Sequence, residues 1–289
     1  MRFGTVLVVG AGQMGSGIAQ TFAASGRAVL LHDSVEGATD RALATMQRSL
    51  EKLAARGGAD PQETLARIQA VPELRPAELL VEAVVEDEAT KLAIFRAADE
   101  LLPAGAILAS NTSSIPIGTL AAATRRPEAV VGMHFFNPVP VMALVEVVRG
   151  PGTADGTVTA IVELARELGK TPALANDRPG FVSNRILMPF INEAVHALAE
   201  GVAEAEAIDT IAKLGFNHPL GPLALADLIG LDTCVAIMDV LHAGLGEERF
   251  APSPLLREHV AAGRLGRKSG SGFYSYEEKS PVRGVSTAP

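Results

Sequence analysis

The feature that most constrains the fold is a glycine-rich turn near the start of the chain. In "TVLVVGAGQMGSGIAQ", Gly10, Gly12 and Gly15 follow a β-branched run in the pattern G-x-G-x-x-G, and a helical pattern begins within the turn. Glycines at this spacing allow a tight turn and a close approach of the backbone to a pyrophosphate at the helix N-terminus. We therefore interpret the turn, including Gln13 and Met14, as a dinucleotide-binding site.

A carboxylate closes the next apolar run. "AVLLHD" ends at Asp33, and no arginine follows it immediately. Asp33 in this place would accept hydrogen bonds from the adenosine ribose and repel a 2′-phosphate, which favours NAD over NADP. The alternative is a plain strand–helix turn in which Asp33 caps the next helix.

The order of apolar runs predicts the fold class. Further strands are predicted at "LLVEAVV", "AILAS" and "AVVGMHF", with helical stretches between them, as in βαβ units with a parallel sheet. From Phe181 onward only helical periodicity is found, with Gly201 and Gly215 at predicted helix C-caps. The sequence therefore predicts an α/β, Rossmann-like NAD-binding domain over residues 1–178, a smaller all-helical domain over 179–276, and a flexible tail over 277–289.

Composition narrows the functional classes. With 289 residues, 48% of them hydrophobic, the chain can bury a sizeable core, and its net charge of −8 argues against nucleic-acid binding. A single cysteine, Cys234, excludes an internal disulfide, and we expect it to be an apolar core residue. No apolar run is long enough to span a bilayer, and the chain opens directly into a strand. We therefore expect a cytoplasmic protein without a membrane partner.

Two polar segments follow predicted strands. "VVEDEATKLAIF" contains Glu86 and Lys91, and "ASNTSSIPI" contains Asn111 and Ser113. The carboxyl edge of an open α/β sheet is where ligands bind, so these side chains are candidates for the cofactor site. Two structural alternatives stay open, namely first-turn helix acids for the first segment and turn or cap residues for positions 112–114.

The segment "MHFFNPVPVMALVEVV" carries two ionisable groups in an apolar run, His134 and Glu146. An isolated histidine at a strand end is more often structural than catalytic. If the two flanking runs are neighbouring strands, however, Glu146 can hold one imidazole nitrogen while the other faces a substrate. Such a pair also explains why both groups lie in an apolar segment.

Five long motifs together resemble the (S)-3-hydroxyacyl-CoA dehydrogenase family, above all its bacterial 3-hydroxybutyryl-CoA members. They are "GAGQMGSGIAQ", "ASNTSSIPI", "GMHFFNPVPVMALVEVV", "DRPGFVSNRILMPFINEA" and "GPLALADLIGLD". The resemblance covers about residues 3–276. It implies a Rossmann-like NAD domain, a helical domain that forms a homodimer interface, and a reversible hydride transfer between NAD(H) and an acyl-CoA.

The resemblance also implies roles for individual residues. His134 matches the catalytic histidine and Glu146 its partner, while Ser113 and Asn184 match residues that position the substrate. Asn184 is otherwise readable as an exposed polar residue of a first helical turn. For NAD, the matching positions are the Gly10–Gly15 turn, Asp33, Glu86, Lys91 and Asn111.

The acyl-CoA end is less constrained. Lys52 in "SLEKL" is the best match to the basic residues that the family places near CoA, with a solvated helix face as the equal alternative. Two rival functions also stay open. One is a same-fold dehydrogenase of a 3-hydroxy compound without CoA, such as a hydroxy acid or carnitine, and the other is an NAD-binding structural protein of the eye-lens type. The sequence leaves open the acyl chain length of the substrate and the metabolic pathway, for which fatty-acid oxidation is one of several options.

Overall fold

The computed structural model describes residues 3–276, so the tail predicted over 277–289 lies outside the described residues. The chain divides into two compact units between Phe181 and Val182, which is three residues beyond the boundary predicted after residue 178. The first unit is a sheet flanked by helices and the second is helical, which confirms the predicted fold class.

The first unit is built on an eight-stranded sheet of order β3-β2-β1-β4-β5-β6-β7-β8. Neighbouring strands run parallel except β6 and β7, which are antiparallel. The chain order reverses at β1, and this switch point is where open α/β sheets bind ligands. The strands are β1 Thr5–Val9, β2 Ala28–His32, β3 Ile68–Ala70, β4 Leu79–Glu82, β5 Ile107–Ser110, β6 Val130–Phe135, β7 Leu144–Arg149 and β8 Thr171–Asn176.

Helices cover both faces of the sheet, which is why its central strands are almost continuously apolar. Alternate residues of β1 enter opposite cores: Val6 and Val8 pack with residues of α1, α2 and α6, whereas Leu7 and Val9 pack with residues of α4 and α5. The helices of this unit are α1 Gln13–Ala24, α2 Ala38–Ala54, α3 Pro61–Leu65, α4 Glu88–Leu101, α5 Ile117–Ala121 and α6 Asp155–Glu167, with a 3-10 turn at Pro127–Ala129.

The second unit packs its helices around its own apolar core. Cys234 is fully buried there, which confirms that it is an apolar core residue, and burial raises the pKa of its thiol to about 12. The Asp209 carboxylate accepts hydrogen bonds from the first-turn amides of the following helix, at Leu223 and Ala224. The helices are α7 Ser183–Ala199, α8 Ala205–Gly215, α9 Pro222–Ile229, α10 Leu231–Leu245 and α11 Pro254–Ala261, with 3-10 turns at Glu248–Phe250 and Arg267–Ser269.

The structure differs from the sequence prediction at one helix end and two strands. Gly201 has a φ of 70° directly after α7, as predicted. Gly215 is instead the last residue of α8, and Asn217 adopts the left-handed conformation after it, with a φ of 58°. Strands β3 and β8 were not predicted. No helix in the described part of the chain is long and apolar enough to cross a membrane.

Candidate active site

The glycine turn is shaped by close backbone approach. A Cβ on Gly15 would lie 1.9 Å from the carbonyl oxygen of Gly10, and one on Gly10 would lie 2.5 Å from the carbonyl oxygen of Ala83. Gly10 also has a φ of 106°, which a side chain disfavours. At Gly12, by contrast, a Cβ would meet no atom within 4 Å. Gly10 and Gly15 therefore close the turn, while Gly12 leaves its outer surface open to a ligand.

Helix α1 begins in this turn, and its first turn contains no acidic residue. Its N-terminal partial positive charge is therefore left for an anionic group. The two other predicted residues of the turn differ in their contacts. The side-chain Nε2 of Gln13 donates to Asn137 Oδ1 at 3.1 Å, whereas Met14 packs against the apolar core.

Asp33 is bonded to the turn and does not cap the next helix. Its Oδ2 accepts from the Ala11 amide at 2.7 Å, and its Oδ1 accepts from the Val35 amide at 2.8 Å. Helix α2 begins only at Ala38, with Gly37 as its N-cap residue. The alternative interpretation of Asp33 as a helix cap is therefore wrong.

A cavity of about 560 Å³ lies beside the turn. Gly12, Gln13 and Asp33 line one side of it, and the segment 137–140 lines another. An open glycine, an uncompensated helix N-terminus and a carboxylate beside one cavity are the groups that NAD requires at its pyrophosphate and ribose. The residues present therefore fit a dinucleotide.

Glu86 lies just before α4 and holds the loop after β5. Its Oε1 accepts from the Thr112 hydroxyl at 2.6 Å and from the amides of Ser113 and Ser114, both at 2.9 Å. Burial alone would raise the pKa of Glu86, but the charge of Lys91 and these hydrogen bonds outweigh it and lower the pKa to about 2. Both structural alternatives for these segments are partly realised, since Glu88 is an acidic residue in the first turn of α4 and the Thr112 hydroxyl also accepts from the Ile115 amide.

Lys91 connects this loop to a carboxylate that the sequence prediction does not include. Its ammonium donates to Glu82 Oε1 at 2.6 Å and lies 3.3 Å from Glu86 Oε2. Glu82 is fully buried at the end of β4, and its other oxygen accepts from the Ser110 hydroxyl at 2.6 Å. A signal for it exists in the sequence, because Glu82 is the one charged residue in the apolar run "LLVEAVV" up to Val85.

Asn111 ties the ends of two neighbouring strands. Its Oδ1 accepts from the amide of Phe135 at 2.8 Å, so the residue after β5 holds the last residue of β6. The contact fixes the strand end directly beside His134.

His134 and Glu146 face each other across the antiparallel pair β6–β7, where they are direct register partners. Directly opposite residues place their side chains on the same face of a sheet. The His134 Nδ1 lies 2.8 Å from Glu146 Oε2, and both residues are buried, with exposed fractions of 8% and 3%. The ring centroids of Phe136 and Phe181 lie 4.8 and 5.9 Å, respectively, from the centroid of the His134 imidazole. The predicted contact between the two side chains is therefore present.

Asn184 and Lys52 are the two predicted residues that remain. Asn184 is buried in the first turn of α7 and belongs to the second compact unit, so it is not the exposed residue of the alternative interpretation, and its role stays a prediction. Lys52 lies in the last turn of α2 with an exposed side chain, and it lines neither the cavity beside the glycine turn nor the one that adjoins it.

Among the described residues, no group of three or more histidine, cysteine or acidic side chains is arranged to hold a metal ion.

Comparison with known proteins gives consistent matches over almost the whole chain. Residues 5–178 match the family model "3-hydroxyacyl-CoA dehydrogenase, NAD binding domain", and residues 180–276 match "3-hydroxyacyl-CoA dehydrogenase, C-terminal domain". A probable 3-hydroxybutyryl-CoA dehydrogenase of Deinococcus radiodurans is 54% identical over 281 residues, which cover 96% of this chain and 100% of the relative.

Solved structures agree with these matches. The crystal structure of (S)-3-hydroxybutyryl-CoA dehydrogenase from Ralstonia eutropha superposes with a TM-score of 0.92 at 46% identity, covering 96% of this chain and 100% of that one. A diketoreductase that acts on dicarbonyl compounds is more distant, with a TM-score of 0.80 at 32% identity, covering 96% of this chain and 100% of that one. The chain belongs to the 3-hydroxyacyl-CoA dehydrogenase family and is an NAD-dependent dehydrogenase.

Proposed function

We propose that the protein interconverts (S)-3-hydroxyacyl-CoA and 3-oxoacyl-CoA, with 3-hydroxybutyryl-CoA as the expected substrate and His134 and Glu146 as the general acid/base pair. The observation that carries the proposal is the register pairing of these two residues, with Nδ1 and Oε2 2.8 Å apart at the carboxyl end of β6. NAD, when bound, supplies the hydride acceptor or donor.

The pairing assigns different tasks to the two imidazole nitrogens. Glu146 occupies Nδ1, so Nε2 is the atom that exchanges a proton with the substrate. In the oxidative direction, Nε2 removes the proton of the 3-hydroxyl group, and the Glu146 carboxylate stabilises the imidazolium that forms. In the reductive direction, the same nitrogen returns the proton to the developing alkoxide.

Ser113 and Asn184 are proposed to donate hydrogen bonds to the 3-oxygen and the thioester carbonyl. Support for Ser113 comes from its loop, since Glu86 accepts from the Ser113 amide and fixes the main chain there. The proposed role of Asn184 rests on the match of "GFVSNR" to the family. We likewise propose that the polar residues along the carboxyl edge and in the glycine turn position NAD, on the basis of the match to the family. They are Glu86, Lys91, Asn111, Gln13 and Met14.

A CoA ester is favoured over a free hydroxy acid by the shape of the protein beside the glycine turn. A second cavity of about 520 Å³ adjoins the first, and both are lined by Gln20 and Pro140. Arg41 lines the first cavity and Arg56 the second. Since the first cavity has the groups that NAD requires, the second cavity is left for the substrate, and its lining by the basic Arg56 suits a phosphorylated ligand such as a CoA ester better than a small acid.

Arg56 is therefore a second candidate, beside Lys52, for the residue that binds the CoA phosphates. We retain Lys52 as a candidate and add Arg56 on the basis of the cavity lining. The KM for the CoA ester, measured in Lys52→Ala and in Arg56→Ala, distinguishes the two candidates. The KM should rise where the removed cation binds a phosphate and should stay unchanged in the other variant.

The assembly and setting of the enzyme are also proposals. The second unit exposes several large apolar side chains, a feature typical of an interaction surface, and we propose a homodimer formed through this unit. The exposed residues include Val202, Ile211, Leu214 and Phe216. We also propose a cytoplasmic role in fatty-acyl metabolism, and the net charge of −8 disfavours nucleic-acid partners. Sedimentation of the purified protein tests the dimer.

The function is tested by NADH oxidation with acetoacetyl-CoA, run beside free acetoacetate and beside NADPH. The proposal expects turnover with NADH and the CoA ester at ordinary enzyme rates and far slower turnover in the other two assays. Good turnover of free dicarbonyl compounds, as the diketoreductase relative suggests, would instead favour a dehydrogenase of CoA-free substrates. No turnover with any substrate, despite NADH binding, would favour the structural-protein alternative.

A further inference from the structure

The loop over residues 136–143 joins the strand that carries His134 to the strand that carries Glu146. The loop also contacts the glycine turn, because Asn137 Oδ1 accepts from the side-chain Nε2 of Gln13 at 3.1 Å. Its segment 137–140 forms a wall of the cavity beside the glycine turn. The loop is therefore a part of the site whose position affects how ligands fit.

One buried cation holds this loop. Lys170, directly before β8, is only 8% exposed, and its ammonium donates to the carbonyl oxygens of Val139 and Met142 at 2.6 and 2.7 Å. Both carbonyls lie in the same turn, where the amides of Val141 and Met142 donate to the carbonyl of Pro138. Burial lowers the pKa of Lys170, so these two carbonyl contacts offset part of the cost of keeping a charge there.

The opposite side of the loop rests on α1. A Cβ on Gly17 would lie 2.8 Å from the Cβ of Val139, so glycine is what allows the loop to pack this closely against the helix. The loop is thus held between a glycine of the cofactor-binding helix and the ammonium of Lys170.

We propose that Lys170 is a positioning residue that holds the 136–143 loop against α1 and thereby fixes the wall of the ligand cavity. The inference rests on the proposed function for its kinetic consequence. The contact between His134 and Glu146 does not depend on the loop, because β6 and β7 pair in register from Gly132 with Val148 to Phe135 with Val145. Losing Lys170 is therefore expected to weaken ligand binding more than the chemical step.

The primary test is Lys170→Met, which keeps the length of the side chain and removes the ammonium. Because segment 137–140 lines the first cavity and Pro140 also lines the second, we expect the KM for NADH and the KM for acetoacetyl-CoA each to rise about tenfold, with kcat falling less than about threefold. Arg166→Met, which removes an exposed cation in the last turn of α6, is the control and should change none of these constants. An unchanged KM in a folded Lys170→Met protein, or a loss confined to kcat, overturns the proposal. Because Lys170 also lines the second cavity, a higher KM without faster amide exchange at Val141 and Met142 would indicate a direct contact with the ligand and likewise overturns it.

Amide hydrogen exchange gives a readout that needs no activity. In Lys170→Met, exchange should accelerate at Val141 and Met142, whereas the amides of β6 and β7 should exchange as in the wild type. If the wild type itself lacks turnover, the proposed function fails while this measurement still decides the role of Lys170. Unchanged exchange in the loop, or equal acceleration throughout β7 and β8, contradicts a specific hold on the loop.

Chemical rescue tests the ammonium itself. Lys170→Cys treated with 2-bromoethylamine regains an ammonium at almost the same distance, whereas treatment with 2-iodoethanol adds a neutral group of similar length. Cys234 is fully buried and is not expected to react in the folded protein. Recovery of KM with the amine alone supports the proposal, and equal recovery with both reagents overturns it.

A second variant keeps the test valid if Lys170→Met does not fold. Gly17→Ala leaves Lys170 intact and pushes Val139 from the opposite side. It should raise the KM for the CoA ester in the same way and accelerate exchange at Val141. A Gly17→Ala protein with faster exchange at Val141 but wild-type KM values would show that the position of the loop does not affect ligand binding.

Discussion

Two charge clusters lie at the carboxyl edge of the same sheet and differ in the kind of cation they contain. In the first, which we call the Lys91 cluster (Glu82, Glu86 and Lys91), an ammonium lies between two carboxylates. In the second, the dyad, a single carboxylate meets the imidazole of His134. An ammonium stays charged near neutral pH, whereas an imidazole gains and loses its proton there. The first arrangement holds a loop in place, and the second is suited to proton transfer.

The largest expected effect is on the dyad. His134→Ala removes the group that we propose to move the proton, and we expect kcat to fall by about a thousandfold or more. The affinity for NADH should change little, because the glycine turn and Asp33 do not contact this side chain in the structure. Steady-state kinetics and an NADH titration check both statements, and near-normal turnover would remove His134 from its proposed role.

A large loss of stability is expected in the Lys91 cluster. Lys91→Met leaves Glu82 fully buried without its ammonium, and we expect the free energy of unfolding to fall by about 3 kcal/mol or more. The double variant Lys91→Met/Glu82→Gln removes the uncompensated charge and should recover most of the loss. Denaturant unfolding compares the three proteins. Equal stability of the wild type and the single variant would show that the pair is not needed for the fold.

A smaller effect is expected at Asp33, which neither cluster includes. Asp33→Ala should narrow the preference for NAD over NADP by about tenfold in kcat/KM, because a carboxylate beside the ribose repels a 2′-phosphate. The result that speaks against this role is an unchanged ratio in a variant that still binds NADH.

The smallest expected effect is a pH dependence at Glu86. Its pKa is lowered from 4.5 to about 2, so its contribution to stability is complete above pH 4.5 and is lost as the pH falls towards 2. Since the carboxylate is partly exposed to solvent, the contribution is on the order of 1 kcal/mol. Unfolding of the wild type and of Glu86→Gln should therefore differ most near neutral pH and converge in acid. A constant difference at every pH would contradict this assignment.

The glycine turn and the dyad were predictable for different reasons. The turn is encoded locally, because three glycines between a strand and a helix have few other uses. The dyad depends on a pairing between strands, and it was predictable because two ionisable groups stand out in an apolar segment. The same reasoning applied to "LLVEAVV" finds Glu82, whose partner Lys91 lies on the next helix.

Other features could not be predicted from local pattern. Strand β8 contains Pro172, which lacks an amide and ordinarily argues against a strand, yet it is accommodated because β8 lies at the edge of the sheet. At the end of α8, Gly215 is a better C-cap residue by propensity than Asn217, but asparagine also tolerates the left-handed conformation. The hold of Lys170 on the 136–143 loop depends on tertiary contacts that no spacing along the chain reveals.

The central claim, that His134 and Glu146 act as one unit, is tested most directly by a double-mutant cycle of kcat for His134→Ala, Glu146→Gln and the two combined. We expect Glu146→Gln alone to lower kcat by about a hundredfold, because the imidazolium loses its counter-charge, and to have almost no further effect once His134 is absent. Effects that multiply in the double variant would show that Glu146 acts independently of His134, and would contradict the account.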